Sequence, residues 1–298
     1  MHLQRFYLFS TMLFLLWLPQ ARAHDISLVP NTSPLYNFCY GVDAFRHLDG
    51  THSLLTDNSP DLCICGPDWH EKSPILRLNT TSAPPLSTEN GTGFQDLLTL
   101  EAFCRNDIRV RLTHLAGKPS LRMANSGVDD GTVGRVAKLL KEIDLPNLLL
   151  VPEPFMAWDF SAFTRTAEIQ PLEWEELAPY NVAHNSGWII LHNNIKQAKS
   201  IIHTRDSEQL LGLLAKGRSD VVVVEKWQGL QAAKQLHIQD LHLVTPPLTS
   251  RKMHIFMHRK HEELIEPISR TLRQMKQDGS YRTIYAHTLQ PLIEQVAR

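Results

Sequence analysis

The sequence predicts an α/β fold, and three observations support this prediction. Strand-like and helix-like segments alternate from residue 75 to the end of the chain, a pattern typical of α/β proteins. Asp220–Glu225 is a run of β-branched residues ("DVVVVE"), as in a parallel strand that is buried on both faces. The alternating segments form two blocks, roughly 75–155 and 165–245, followed by a tail that starts near residue 250.

The first block opens on a strand and a helix. "ILRLN" (Ile75–Asn79) alternates apolar and polar residues, which predicts a strand. A turn-rich loop follows at Thr81–Gly93, and Phe94–Phe103 then places its large apolar side chains near one helical face. Further predicted elements are a strand at Val110–Leu115, a helix at Pro119–Gly127 and strands at Leu148–Val151 and Ala157–Thr164.

The second block repeats this rhythm. Its clearest helix is Asp206–Gly217, with a capping residue at Asp206 or Ser207 and a stop at Gly217. The other predicted elements are helices at Leu172–Leu177, Trp188–Asn194 and Lys226–Leu236, and strands at Tyr180–His184, Ser200–Thr204 and Asp220–Glu225. The tail predicts a strand at His254–His258 and two helices. Because it is too small for a third domain, we expect it to return to the first block.

The first 23 residues predict a cleavable secretory signal. One arginine precedes the apolar run Phe6–Leu18, and "ARA" (21–23) follows it, which is the usual order of such a signal. The run is shorter than the roughly 20 residues that span a bilayer. An uncleaved anchor is the alternative. We expect cleavage after Ala23 and a mature chain that begins at His24 in the periplasm.

The net charge and the positions of the cysteines further limit the class of protein. The formal net charge is −1, so neither a nucleic-acid binder nor an acidic tail is indicated. Residues 24–73 form a polar extension without periodicity, and this extension holds Cys39, Cys63 and Cys65. Four cysteines allow three pairings, of which Cys39 with Cys63 or Cys65 is slightly favoured. Cys104 lies on a predicted helix and is interpreted as a buried thiol.

The stretch "ANSGVDDGTVGRVAKL" (124–139) places Arg135 after a glycine-rich turn and before a helix-like apolar pattern. This order predicts that a helix begins close to Arg135. Free backbone N–H groups at a helix start, with a guanidinium nearby, suit an anion. The alternative is a solvated arginine in a surface turn.

Several stretches, taken in order, resemble one family. "ILRLNTTSAPPLSTENGTGFQDLLTLEAF" is similar to its first strand, Pro-rich loop and helix, and "MANSGVDDGTVGRV" to the strand that leads to an arginine. "KGRSDVVVVE" resembles the strand of its second lobe that ends in an acid, and "LRQMKQDGSYRTIYA" its C-terminal helix pair. From about Pro74 to Leu289 the chain resembles the family 3 extracellular solute-binding proteins, which serve polar amino-acid ABC importers.

The resemblance implies a two-lobed periplasmic binding protein fold of type II. Two α/β lobes would be joined by two hinge strands, near Ala157–Thr164 and Val244–Met253, with the ligand in the cleft between them. The implied segments are a signal peptide at 1–23, the extension at 24–73, a first lobe at 74–157 plus 250–298, and a second lobe at 163–245.

The resemblance also implies ligand contacts. The arginine that matches Arg135 holds the ligand's α-carboxylate in amino-acid-binding members, and Glu225 stands where an Asp usually binds the α-amino group. Trp188 occupies a position where the family often has Thr or Ser, with Ser186 adjacent. Thr80 lies in the loop that supplies a first-lobe contact. Trp188, Trp158, Trp227 and Phe155 are candidates to line an aromatic cleft, with core or hinge packing as the alternative for each.

The implied function is the capture of a small polar or anionic solute for an ABC permease or a sensor receptor, by a monomer without a cofactor. Two alternatives stay open. The first is a dehydratase-like enzyme on the same fold, with Glu225 or His184 as its acid. The second is a metal-binding protein that uses Cys63, Cys65 and His70 with His47 and His52, although the C-x-C spacing is unusual for zinc.

Overall fold

The computed structural model describes residues 75–115 and 117–296, and all of them fall within one compact unit. The signal segment, the extension with its three cysteines and the proposed metal motif lie outside the described residues. Among the described residues, no helix has the length and apolar character needed to cross a membrane.

The first lobe is a parallel sheet flanked by helices. Strands β1 (Ile75–Thr80), β2 (Arg109–His114) and β3 (Gly131–Val136) lie in the order β2-β1-β3. The connecting helices are α1 (Phe94–Cys104) and α2 (Gly117–Asn125). Helix α1 is buried along its whole length. Asp96 satisfies a backbone donor at its start, because this side chain accepts a hydrogen bond from Gly93 N. A short helix α3 (Leu139–Glu142) and strand β4 (Leu148–Leu150) follow β3.

Two long strands connect the lobes. Strand β5 (Met156–Thr164) and strand β10 (Thr249–His258) pair antiparallel through Met156–Phe160 and Thr249–Met253. The rest of β10 pairs with β3 and β4, whereas the rest of β5 pairs with strand β8 (Val221–Glu225). The first predicted hinge strand is therefore confirmed. The second lies a few residues later than the predicted Val244–Met253.

The second lobe is a smaller parallel sheet. Its strands are β6 (Asn181–Asn185), β7 (Ser200–Thr204) and β8, in the order β8-β6-β7. The four valines of β8 are fully buried, as the β-branched run predicted. A short helix α4 (Ile189–Asn194) follows β6, and helices α5 (Ser207–Ala215) and α6 (Lys226–Gln235) pack against the sheet. A two-residue strand β9 (His242–Leu243) pairs with β5. The predicted helix at 172–177 is a single 3-10 turn, Glu175–Leu177.

The tail returns to the first lobe, as expected. A 3-10 segment (Arg259–Leu264) leads from β10 into helices α7 (Ile265–Gln277) and α8 (Ser280–Thr288), and both helices pack against α1. The ring of Tyr281 meets that of Phe94 edge to face at 5.3 Å. The last helix, α9 (Gln290–Val296), lies against both α8 and the second-lobe helix α6. The domain boundaries stay a prediction.

Two local predictions were wrong. Arg135 does not stand at a helix start but on strand β3, the one strand of the first lobe that the alternation pattern did not indicate. Glycines at 131 and 134 interrupt the apolar period there, which hides the strand from a periodicity argument. Cys104 is a disulfide-bonded cysteine and not a buried thiol.

Candidate functional site

A cleft of about 1160 Å³ lies between the two lobes. Its walls are formed where the parallel strands of each sheet end. This is the usual place for a ligand in open α/β sheets. The first lobe presents Thr81 after β1, Leu115 after β2 and Arg135 near the end of β3. The second lobe presents Asn185 at the end of β6, Arg205 after β7 and Gln228 in α6.

A β-bulge at Gly134 sets the direction of Arg135. In the pairing with β10, Ile255 lies opposite Val133 and His254 lies opposite Arg135, so β3 contains one extra residue at this point. The extra residue is Gly134, whose φ of +79° is in the left-handed region, as in bulges that begin with glycine. Because the bulge shifts the alternation by one residue, Arg135 shares a face with Thr132. Arg135 Nε donates to Thr132 Oγ1 at 3.0 Å on that face.

Arg135 is a buried cation that is surrounded by hydroxyl groups. Its Nη2 donates to Ser120 Oγ, and its Nη1 lies 3.5 Å from Thr81 Oγ1. Only 7% of the residue is exposed, and burial alone lowers its pKa to about 10. The guanidinium is therefore still charged at neutral pH. Of its five N–H donors, two have no acceptor among the described residues.

A hydrogen-bonded chain behind Arg135 holds it in place. Ser120 Oγ accepts from Arg135 and donates to Asn79 Oδ1, and Asn79 Nδ2 donates to Asp129 Oδ2 at 2.6 Å. All three partners are buried. Two neutral side chains therefore separate Asp129 from the guanidinium, and Arg135 forms no ion pair with an acid among the described residues.

Glu225 stands at the matching position of the second lobe but faces another way. It is the last residue of β8 and caps helix α6, accepting from Trp227 N at 3.1 Å and Gln228 N at 3.0 Å through Oε2. It is fully buried, its Oε1 has no partner among the described residues, and burial raises its pKa to about 8. The carboxyl group of Glu225 does not line the cleft.

Three aromatic side chains line the cleft at the crossing strands. Trp158 and Phe160 lie two residues apart on β5 and therefore share one face. Trp188, which precedes α4, packs against both: its ring centroid is 5.8 Å from that of Trp158 and 5.2 Å from that of Phe160. The sequence analysis did not name Phe160 as a cleft residue. The period of two along β5, which places Phe160 on the face of Trp158, could have identified it.

The other predicted contacts lie outside the cleft lining. Thr80 is fully buried, and its Oγ1 accepts from Gln95 Nε2 at 2.8 Å; its neighbour Thr81 lines the cleft instead. Phe155 is a core residue with 1% exposure. Ser186 is exposed and donates to the carbonyl of Thr204 at 3.1 Å. Of the six predicted residues, the structure thus brings Arg135 and Trp188 to the cleft. Trp227, a further aromatic candidate, packs on Tyr285 at 5.7 Å.

The two residues named as the acid of a dehydratase-like enzyme, Glu225 and His184, do not line the cleft. His184 is fully buried on β6 and its ring contacts that of His203 at 4.5 Å, away from the cleft lining. Glu225 is directed into the start of α6. Over the described part of the chain, no group of three or more His, Cys, Asp or Glu side chains is placed to hold a metal ion.

Comparison with known proteins gives one sequence relative and many structural ones. No family model matches the chain. A Shewanella oneidensis protein described as "Uncharacterized protein" is 25% identical over 175 residues. The match covers 54% of this chain and 62% of that protein, so the chain spans less than two thirds of the relative's length.

Solved structures with a similar fold include an arginine-binding protein, a sensor domain and a glutamate complex. An ancestral arginine-binding protein bound to arginine matches 74% of this chain and 99% of its own at 20% identity and a TM-score of 0.57. A histidine kinase sensor domain with similarity to periplasmic binding proteins matches 74% and 97%, at 20% identity and 0.58. The GluR0 ligand-binding core from Nostoc punctiforme in complex with L-glutamate matches 72% and 98%, at 18% identity and 0.58. These identities show the fold alone: the chain has the two-lobed α/β fold of periplasmic binding proteins, joined by two crossing strands.

Proposed function

We propose that this chain is an exported, non-catalytic solute-binding protein of the family 3 type. It captures a small anionic solute in the cleft between its lobes, and Arg135 holds the anionic group. Domain closure around the ligand would then present the complex to a membrane partner, an ABC permease or a sensor receptor. Similarity to amino-acid-binding proteins and to a kinase sensor domain supports both kinds of partner.

The buried guanidinium of Arg135 is the observation that supports this proposal. A buried cation without a counter-charge is unfavourable in the empty protein. A ligand carboxylate would accept the two free N–H donors in a bidentate pair. The cleft of about 1160 Å³ exceeds the roughly 300–1,000 Å³ of usual small-molecule sites, as expected of an open form that closes on its ligand.

The test is calorimetric titration of three proteins with amino acids and organic acids. Wild type, Arg135→Ala and Lys138→Ala are purified from the periplasm of an expression host and refolded to remove bound solute. Lys138 also lines the cleft, but it is exposed and paired with Glu142 at 2.5 Å. Removing a buried partner of a charge pair costs about 2–5 kcal/mol, so we expect Arg135→Ala to weaken binding by on the order of 100-fold. An exposed pair contributes little, so Lys138→Ala should change affinity by about twofold at most.

The outcomes separate clearly. Arg135→Ala should fold at least as stably as wild type, because it removes an uncompensated buried charge. Binding that survives Arg135→Ala unchanged would remove Arg135 from the site, and a panel without any ligand would reject the solute-binding function. The same preparation tests export: the N-terminal residue of the periplasmic protein should be His24.

A further inference from the structure

The acidic groups of the cleft are few, and two of the three are already engaged. The cleft lining contains five basic side chains and three acidic ones, Glu142, Asp206 and Glu208. Glu142 pairs with Lys138. Asp206 caps α5, where its two carboxylate oxygens accept from Gln209 N and Gln209 Nε2, both at 2.8 Å. A ligand ammonium group would therefore enter a region of excess positive charge, where like charges repel it.

The buried carboxyl group of Glu225 does not supply a negative charge for a ligand ammonium group. One of its oxygens accepts two backbone N–H groups of helix α6, and the side chain is fully enclosed. Burial favours its neutral form at neutral pH, since its pKa is raised to about 8. A neutral, enclosed carboxyl group offers little attraction to an ammonium ion. Glu208, the remaining acidic side chain of the cleft, is exposed on helix α5. The second lobe thus offers an α-amino group no buried, ionised counter-charge among the described residues.

The cleft that Arg135 lines also contains an apolar surface. Val136, Met253 and Met156 form one row across β3, β10 and β5, so Met156 is two strand spacings, about 10 Å, from Val136. Trp158 and Phe160 continue from Met156 on the same face. Arg135, Trp158, Phe160 and Trp188 all line the same cleft, so a small molecule whose anionic end contacts Arg135 can extend its body onto the aromatic surface.

The rims of the cleft are apolar as well. Ile143 on the first lobe is 42% exposed and Ile189 on the second lobe is 70% exposed, and both line the cleft. Ile189 is the most exposed large hydrophobic side chain of the described residues. Large exposed apolar side chains grouped around a cavity are characteristic of binding grooves. Closure on an apolar ligand would remove them from water.

We propose that the ligand is a carboxylate with an apolar or aromatic body and without an ammonium group, in preference to an α-amino acid. This inference rests on the proposed function and specifies its substrate class. The carboxylate binds Arg135, and the body of the ligand packs on Trp158, Phe160 and Trp188. Aromatic packing of this kind favours binding both through the area buried and through ring geometry.

The experiment compares matched pairs that differ only in the amino group. Wild type is titrated with 3-phenylpropionate against L-phenylalanine, indole-3-propionate against L-tryptophan, and glutarate against L-glutamate; L-arginine is added as a cationic probe. Burying an ammonium group without a partner is costly. We therefore expect each aromatic desamino acid to bind at least about tenfold more tightly than its amino acid, which corresponds to about 1.4 kcal/mol.

Two tryptophan variants test the aromatic surface. Trp188→Leu should weaken the binding of aromatic acids about tenfold, because ring contacts are lost. The same variant should change the affinity for glutarate little. Trp174→Leu, at the 3-10 turn of the second lobe and outside the cleft lining, is the matched control and should leave all affinities unchanged.

The results distinguish failure of the proposed substrate class from failure of the proposed solute-binding function. Amino acids that bind as tightly as their desamino partners, and depend on Arg135, overturn the substrate class but keep the solute-binding function. A preference for glutarate over the aromatic acids also overturns the substrate class. If no carboxylate in the panel binds, or if Arg135→Ala binds all of them unchanged, the proposed function itself fails.

Discussion

Arg135 and Glu225 occupy matching places in the two lobes yet have opposite environments. Each lies at the end of a strand whose carboxyl end faces the cleft, and each is buried. Arg135 presents two unused donors to the cleft, whereas Glu225 uses its carboxyl group to cap helix α6. The first lobe thus keeps a charge available for a ligand, and the second lobe uses its charge for the fold.

The backbone that follows each residue explains this difference. After Glu225 the chain enters helix α6 at once, so the nearest donors to its carboxylate are the free N–H groups of that helix. The bulge at Gly134 adds one residue to β3 before Arg135. The side chain of Arg135 therefore lies on the same face as Thr132 and contacts Thr132 and Ser120. The role of a charged residue at a strand end therefore depends on the backbone conformation of the neighbouring residues and not on its charge alone.

The largest effect on anion binding is expected for Gly134→Ala, which alters the bulge itself. An added Cβ at Gly134 would lie 2.8 Å from Gln95 Oε1 and 3.1 Å from Ser82 Oγ, in a backbone with φ of +79°. We expect a loss of about 1–3 kcal/mol in the free energy of unfolding and loss of most anion binding, measured by denaturant unfolding and by calorimetry.

Gly217→Ala is the matched control for Gly134→Ala. Gly217 has a similar φ of +64° but nothing within 4 Å of an added Cβ. This variant carries the backbone strain without the clash and lies at the end of α5, so its ligand affinity should stay that of wild type. Equal loss of binding in both variants would show that the bulge has no special role.

The second effect concerns the link between Arg135 and Ser120. Ser120→Ala removes the acceptor of Nη2 and the donor to Asn79 Oδ1. Hydrogen bonds to charged groups contribute about 1.5–3 kcal/mol, so the affinity for an anion should fall by about tenfold or more. Ser126→Ala, just after the same helix and exposed, should leave the affinity unchanged. An unaltered affinity in Ser120→Ala would mean that Thr132 and Thr81 suffice to orient the guanidinium.

The smallest effect on ligand binding is expected for Glu225, whose titration instead gives the folded protein a pH-dependent stability. Its folded pKa of about 8 lies above its ordinary value of 4.5, so the folded state binds the proton more tightly. The stabilisation is complete below pH 4.5 and is lost as the pH rises through 8. Glu225→Gln removes this titration. Between pH 5 and pH 8.5 its unfolding free energy should fall less than that of wild type, by up to about 4 kcal/mol.

Asp96, whose pKa burial raises to about 6, titrates in the same direction in both proteins and therefore cancels in the comparison. Thermal unfolding at the two pH values provides the measurement. Parallel pH profiles of wild type and Glu225→Gln would show that Glu225 is ionised in the folded protein.

The sequence by itself determined the α/β class and the order of most elements. Alternation identified β1, the β-branched run identified β8, and the Asp206 and Gly217 signals bounded α5 within a few residues. It also singled out Arg135 and Trp188 as ligand-contact candidates, and the structure places both in the cleft. These features depend on local patterns that a chain carries along its own length.

Only the tertiary structure decided which candidates share a site. Thr81 and Thr80 are neighbours in sequence, but the end of β1 turns one to the cleft and the other to Gln95. Strand β3 and the direction of Arg135 depend on a bulge that is defined by pairing with β10, 120 residues later. Glu225 is withheld from the cleft by the helix that it caps. Register, bulges and side-chain direction come from contacts between distant segments, and no local pattern encodes such contacts.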